Sequence, residues 1–161
     1  NENIFISEVS IEDGIVYKKD SKLPFTGVVT QLSLKTNKKV FESNYKNGLE
    51  DGVTTAWYEN EQKMGEVTYK NGKREGILEG WHKSGEKMGE SNYKNGLEDG
   101  IITTWYKSGL KSTQSKYKEG KKIGITIVWD ESGLMRDSNY QLDKRLSNGI
   151  TGFIKWYKNS K

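Results

Sequence analysis

The side chains best placed to do chemistry recur at fixed intervals. Lys46, Lys70, Lys94 and Lys118 lie 24 residues apart, and Lys63, Lys87 and Lys111 form a second series with the same step. Rows of evenly spaced ammonium groups can neutralise an anionic polymer, a phospholipid surface or a nucleic-acid backbone. The same lysines, if they fall at turns and strand ends, do the ordinary work of keeping a sheet soluble and its edges unpaired. Trp57, Trp81, Trp105 and Trp129 form a third series, followed by Trp156, and Tyr58, Tyr106 and Tyr157 each come directly after one of these tryptophans. Aromatics in a row can stack on sugar rings. In a polar chain they are also the main material for a core between repeats, and that is the reading favoured for the tryptophans.

Catalysis finds little to use. His82 is the only histidine, and it stands where neighbouring periods carry Tyr58 and Tyr106, so it reads as a drifted tyrosine position. One histidine and no cysteine leave no metal-ligand cluster and no thiolate. Glu50-Asp51 and Glu98-Asp99 are acidic pairs without a second group to work against. The glycines are turn glycines, because no Gly-Lys-Ser/Thr opens a helix as a phosphate loop requires. The expectation is a non-enzymatic chain with no cofactor and no metal.

A repeat positions these rows. Tyr-Lys-Asn-Gly-Leu-Glu-Asp-Gly occurs at 45–52 and again, letter for letter, at 93–100, with a relative at 69–76 and a fainter one at 117–124. Asn-Gly between strand-like runs predicts a type I′ hairpin turn, which needs positive φ at both central residues. Asn47-Gly48, Asn71-Gly72 and Asn95-Gly96 carry it, and Glu119-Gly120 is a weaker version. A second turn follows in each period, at Glu59-Asn60-Glu61, Ser84-Gly85, Ser108-Gly109 and Ser132-Gly133. Two turns per period leave room for two strands of roughly eight residues. Val53, Thr55 and Trp57 then point one way and Thr54, Ala56 and Tyr58 the other, a pattern repeated by Ile101, Thr103 and Trp105 and by Ile125, Ile127 and Trp129. No window sustains a helical spacing. The predicted fold is all-β: a single-layer antiparallel β-hairpin repeat array, about 24 residues per repeat, elongated and twisted. Each lysine column should step about 9–10 Å, two strand spacings. Even loops throughout would put Tyr69 on the face opposite Trp57 and Trp81; one bulged turn would bring Tyr and Trp together.

The pattern Tyr-x-Asn-Gly-x-x-x-Gly-x-x-x-x-Trp-Tyr-x-x-Gly-x-Lys resembles the bacterial variant of the MORN repeat, found in proteins often labelled YwqK-type antitoxins. The match runs from Phe25 to Lys161 and recurs in register at least four times. It departs at Glu61, which replaces the second-turn Gly, and at His82 and Asp130, which replace the Tyr after Trp. The resemblance implies a non-enzymatic, elongated β-repeat module of bacterial origin. The antitoxin label is a name attached to that family.

Composition agrees with a thin array. A chain 32% hydrophobic and 30% charged is too polar for a thick two-layer core, whereas repeats that pack only on their neighbours tolerate it. The net charge of +4 is mild because the spacers alternate: Leu49-Glu50-Asp51, Lys73-Arg74-Glu75, Leu97-Glu98-Asp99, then Lys121-Lys122-Ile123. Opposite charges on neighbouring units predict repeat-to-repeat complementarity more than a nucleic-acid footprint.

The chain divides into an N-terminal cap at 1–24, an atypical first repeat at 25–44 with Leu32 in the tryptophan position, four regular repeats at 45–139, and an off-phase last unit or C-terminal cap at 140–161. The functional expectation is a protein-interaction or scaffold surface. The alternative is a carbohydrate- or anionic-lipid-binding envelope protein that uses the lysine and tryptophan columns; nucleic acid is disfavoured. The chain opens on Asn1 rather than Met, which gives the expectation of export to the bacterial cell envelope or medium, with the cytoplasm as the alternative.

Overall fold

The computed structural model describes residues 2–136. Its strands, in chain order, are β1 Glu2–Phe5, β2 Val9–Glu12, β3 Ile15–Lys18, β4 Gly27–Leu32, β5 Lys39–Lys46, β6 Leu49–Trp57, β7 Lys63–Lys70, β8 Lys73–Trp81, β9 Lys87–Lys94, β10 Leu97–Glu98, β11 Gly100–Trp105, β12 Lys111–Lys118, β13 Lys121–Trp129 and β14 Met135–Arg136. Twelve of them form one sheet in the order β1-β4-β5-β6-β7-β8-β9-β11-β12-β13-β14, with β10 also paired to β9; β2 and β3 make a separate hairpin. From β4 onward the pairing is antiparallel between sequence neighbours, so the all-β hairpin array predicted from the sequence is the architecture observed. The expected off-phase unit at 140–161, with Trp156 and Tyr157, lies outside the described residues.

Both turn types follow from residue chemistry. Asn47-Gly48 has φ of +50° and +76°, Asn71-Gly72 and Asn95-Gly96 match it, and Glu119-Gly120 adopts the same I′ geometry at +51° and +76°. The second turn is a three-residue loop: the Tyr58 N–H donates to the Gln62 carbonyl and the Glu61 N–H donates to the Tyr58 carbonyl, each at 2.9 Å. The same pair of bonds recurs at His82, Tyr106 and Asp130. Its last loop residue sits in the left-handed region, where Gly85, Gly109 and Gly133 are at ease and Glu61, at φ +68°, is not.

Register explains the faces. Ala56 pairs with Gly65 but Trp57 with Lys63, which leaves Met64 as one extra residue; Met88 and Ser112 are its equivalents in later repeats. The odd loop and its bulge sum to an even count, and a second register shift beside the first turn, where Val67 pairs with Leu78 but Tyr69 with Arg74, adds two residues to the later strand, so Tyr and Trp stay on opposite faces, as in the even-loop alternative. One face holds the core. Phe41, Ala56, Val67, Leu78 and Tyr93 form a contiguous cluster with Met64 and Tyr69 packed against it. Burying each large aliphatic or aromatic side chain of this kind stabilises by roughly 1.5–3 kcal/mol. A second cluster of Ile4, Val16, Phe25, Val29 and Tyr45 closes the N-terminal end. There β1 pairs parallel to β4, while the Val16 N–H donates to the Gly48 carbonyl at 2.9 Å and the Gly48 N–H to the Phe25 carbonyl at 2.7 Å. β1, β2 and β3 thus lie at the N-terminal end of the array.

Candidate functional site

On the face opposite the core, β6, β8, β11 and β13 present Val53-Thr55-Trp57, Ile77-Glu79-Trp81, Ile101-Thr103-Trp105 and Ile125-Ile127-Trp129. The strands between them supply lysines, and these sit over the rings. Lys39 lies 4.6 Å from the Trp57 ring centroid, Lys63 5.3 Å from Trp81, Lys87 5.2 Å from Trp105 and Lys111 5.9 Å from Trp129. Carboxylates fix three of the four: Lys39 pairs with Glu42 at 2.9 Å, Lys63 with Glu66 at 2.9 Å, and Lys87 with both Glu79 and Glu90, at 2.7 and 2.6 Å. Burial alone would lower the Lys87 pKa; the two carboxylates outweigh it and hold it above the ordinary lysine value. Gln114 stands where Lys111 would find its glutamate.

The expectation that the tryptophans are the inter-repeat core is corrected by this arrangement. Trp57, Trp81, Trp105 and Trp129 are half-buried, on the outer face, and outside both apolar clusters. They still join repeats, through lysines from the preceding strand. Each cation–π contact at such a half-exposed site contributes about 0.5–1 kcal/mol. The ammonium groups occupy ring faces on which a sugar would have to stack.

Beside this ladder runs a row that the sequence reading did not single out as a surface. Val53, Ile77, Ile101 and Ile125 are 43%, 53%, 46% and 72% exposed, one per repeat, and among the described residues they make an apolar row spaced by the polar residues paired with it, Thr68, Asn92 and Lys116. Alternation in a strand shows that two faces exist; it does not say which is covered.

Tyr58 and Tyr106 serve the backbone. The Tyr58 hydroxyl donates to the Trp81 carbonyl at 2.9 Å and the Tyr106 hydroxyl to the Trp129 carbonyl at 2.8 Å, so each staples its repeat to the next. Burial raises the Tyr58 pKa, which keeps that donor protonated. His82 holds the same position between them, and its buried Nε2 has no hydrogen-bond partner. Burial, and then the Lys107 charge, lower its pKa against the opposing pull of Glu86.

Lys46, Lys70, Lys94 and Lys118 end β5, β7, β9 and β12 at the three Asn-Gly turns and the Glu119-Gly120 turn, away from the tryptophans, and all four are exposed. The acidic spacers beneath them behave differently from the expected charge pairing. Asp51 accepts from the Asn71 N–H at 3.0 Å and Glu75 from the Asn95 N–H at 2.8 Å, so these carboxylates cap the next turn's backbone. Arg74 lies 5.2 Å from the Tyr93 ring centroid. The Lys118–Asp99 pair, at 2.9 Å, does join charges across repeats.

Among the described residues no group of three or more His, Cys, Asp or Glu is placed to hold a metal ion, and no helix is long and apolar enough to cross a membrane. Comparison of the sequence with protein-family models and with curated proteins found no match.

Proposed function

We propose that this chain is a non-enzymatic, MORN-like repeat module that uses its outer sheet face as a scaffold for a protein partner. The observation that carries the reading is the exposed row of Val53, Ile77, Ile101 and Ile125 beside a ladder in which Lys39, Lys63 and Lys87 are already paired with glutamates. An apolar row held on rigid strands and rimmed by satisfied polar groups has the composition of an interface centre and its rim. The tryptophans, with one ring face under a lysine, give the strands stiffness in this reading and leave the stripe to make contact. The resemblance to the bacterial MORN variant supports the same class of function.

The test is site-specific photo-crosslinking in the cell that makes the protein. A benzophenone side chain at Ile77 or Ile101 should give a discrete heavier adduct, and one at Thr36, in a loop at the array's other side, should not. Adducts of equal yield from all three positions, or none from the stripe, would sink the proposal.

A further inference from the structure

The Asn-Gly turn edge carries a charge asymmetry that the net charge hides. In sequence the spacers alternate acidic and basic. In space the two signs part. Glu50, Asp51, Glu75, Glu98 and Asp99 are half-buried, while Lys46, Lys70, Lys73, Lys94, Lys118 and Lys121 are exposed, with Glu119 the one exposed carboxylate among the described residues of these turns and spacers. Three of these carboxylates are committed inward, since Asp51 and Glu75 cap turn amides and Glu98 lies 3.4 Å from the Tyr93 hydroxyl; Asp99 pairs with one rim cation, Lys118, at 2.9 Å, whose hydrogen bond holds it below its ordinary pKa. Four of the lysines close a strand and two open the next, so cations line one rim of the sheet at intervals of about one or two strand spacings, ~5–10 Å.

We infer that this rim is a cationic rail that binds a linear, phosphate-bearing polyanion along the direction in which the repeats stack. A one-residue-wide line of ammonium groups suits a flexible chain whose charges repeat at short intervals. A flat anionic surface suits it less, because adjacent strands rotate by about 20–25° and carry successive turns out of any single plane. A flexible polymer can follow that winding edge and release counterions at each lysine it meets. The rail is separate from the outer-face stripe and does not depend on the reading given above.

The probe is long-chain linear polyphosphate, titrated into the whole protein by calorimetry at two salt concentrations. The edge variant Lys46→Gln/Lys70→Gln/Lys94→Gln is compared with Lys19→Gln/Lys35→Gln/Lys107→Gln, which removes the same charge from exposed sites elsewhere. The edge variant should bind at least ~10-fold more weakly, with a salt dependence reduced by roughly two counterions, about 0.7 for each lysine lost. The control should stay within about twofold, and both should melt as the parent does, since all six side chains are exposed. Equal losses in the two variants would mean net charge alone and overturn the rail. Edge-dependent binding to phosphatidylglycerol vesicles without binding to polyphosphate would overturn it in favour of a membrane surface.

Discussion

His82 shows how one residue can weaken a joint between repeats. Its siblings Tyr58 and Tyr106 each reach across to the backbone of the next repeat, and an imidazole at the same seat leaves Nε2 buried with nothing to bond. His82→Tyr should restore a staple to Trp105 and stabilise the fold by about 1 kcal/mol, the net worth of one hydrogen bond. For a chain of this size that is a rise of roughly 2–4 °C in melting temperature. The variant should also change the response to acid. Because the folded-state pKa of His82 is lowered, the unfolded chain takes up the proton first as pH falls. Its contribution is therefore fully present above the ordinary imidazole value of about 6.5 and is lost as pH drops into the window below it. Urea titrations at a series of pH values should show that slope in the parent and not in H82Y; an unchanged slope would place the titrating group elsewhere.

Within one strand, neighbouring residues belong to different worlds. On β8, Leu78 is fully buried in the core while Ile77 is 53% exposed on the outer face. Leu78→Ala should cost about 2–5 kcal/mol, as for other core truncations. Ile77→Ala should stay within roughly 0.5 kcal/mol. Denaturant midpoints for the pair check the face assignment, and equal losses would show that the outer face is covered. Such strands were legible in the sequence. The Asn-Gly turns fixed the I′ hairpins, and the spacing of Trp57, Trp81, Trp105 and Trp129 gave a common face. Which face that was did not show, because it depends on a loop and a bulge whose extra residues cancel, and Met64 does not look different from any other strand residue. The lysine over each ring escaped notice for a related reason. Lys39 and Trp57 are 18 residues apart, and only strand pairing makes them neighbours. Glu61 and His82 were visible as departures from the repeat, and each turned out to sit at a locally unfavourable spot.

Across the whole molecule, joints recur in pairs. Asn44 and Asn92, two repeats apart, each donate a side-chain hydrogen bond to the carbonyl of Val53 or Ile101, at 2.7 and 2.9 Å, beside Gly52 and Gly100, which hold φ of +118° and +132°. A Cβ on Gly100 would come within 2.9 Å of the Asn92 Cβ. The natural unit of exchange is therefore two repeats. Excising residues 45–92 joins Asn44 to Tyr93 and recreates the native Ser-Asn-Tyr-Lys junction, so that variant should unfold in one cooperative step with a smaller m-value, in proportion to the surface removed. Excising 45–80, half a repeat out of phase, should abolish the cooperative transition. The order of pairing has a further consequence during translation. Hairpins from β4 onward find their partners in the segment just before them, so the growing sheet can close one strand at a time as it leaves the ribosome. Among the described strands β1 alone must wait, and only until β4, ending at Leu32, has emerged to pair with it. Among the described strands, the nascent chain from β4 onward therefore shows the cell one unpaired strand at a time, at its newest end, which limits the time in which another nascent chain could pair with it.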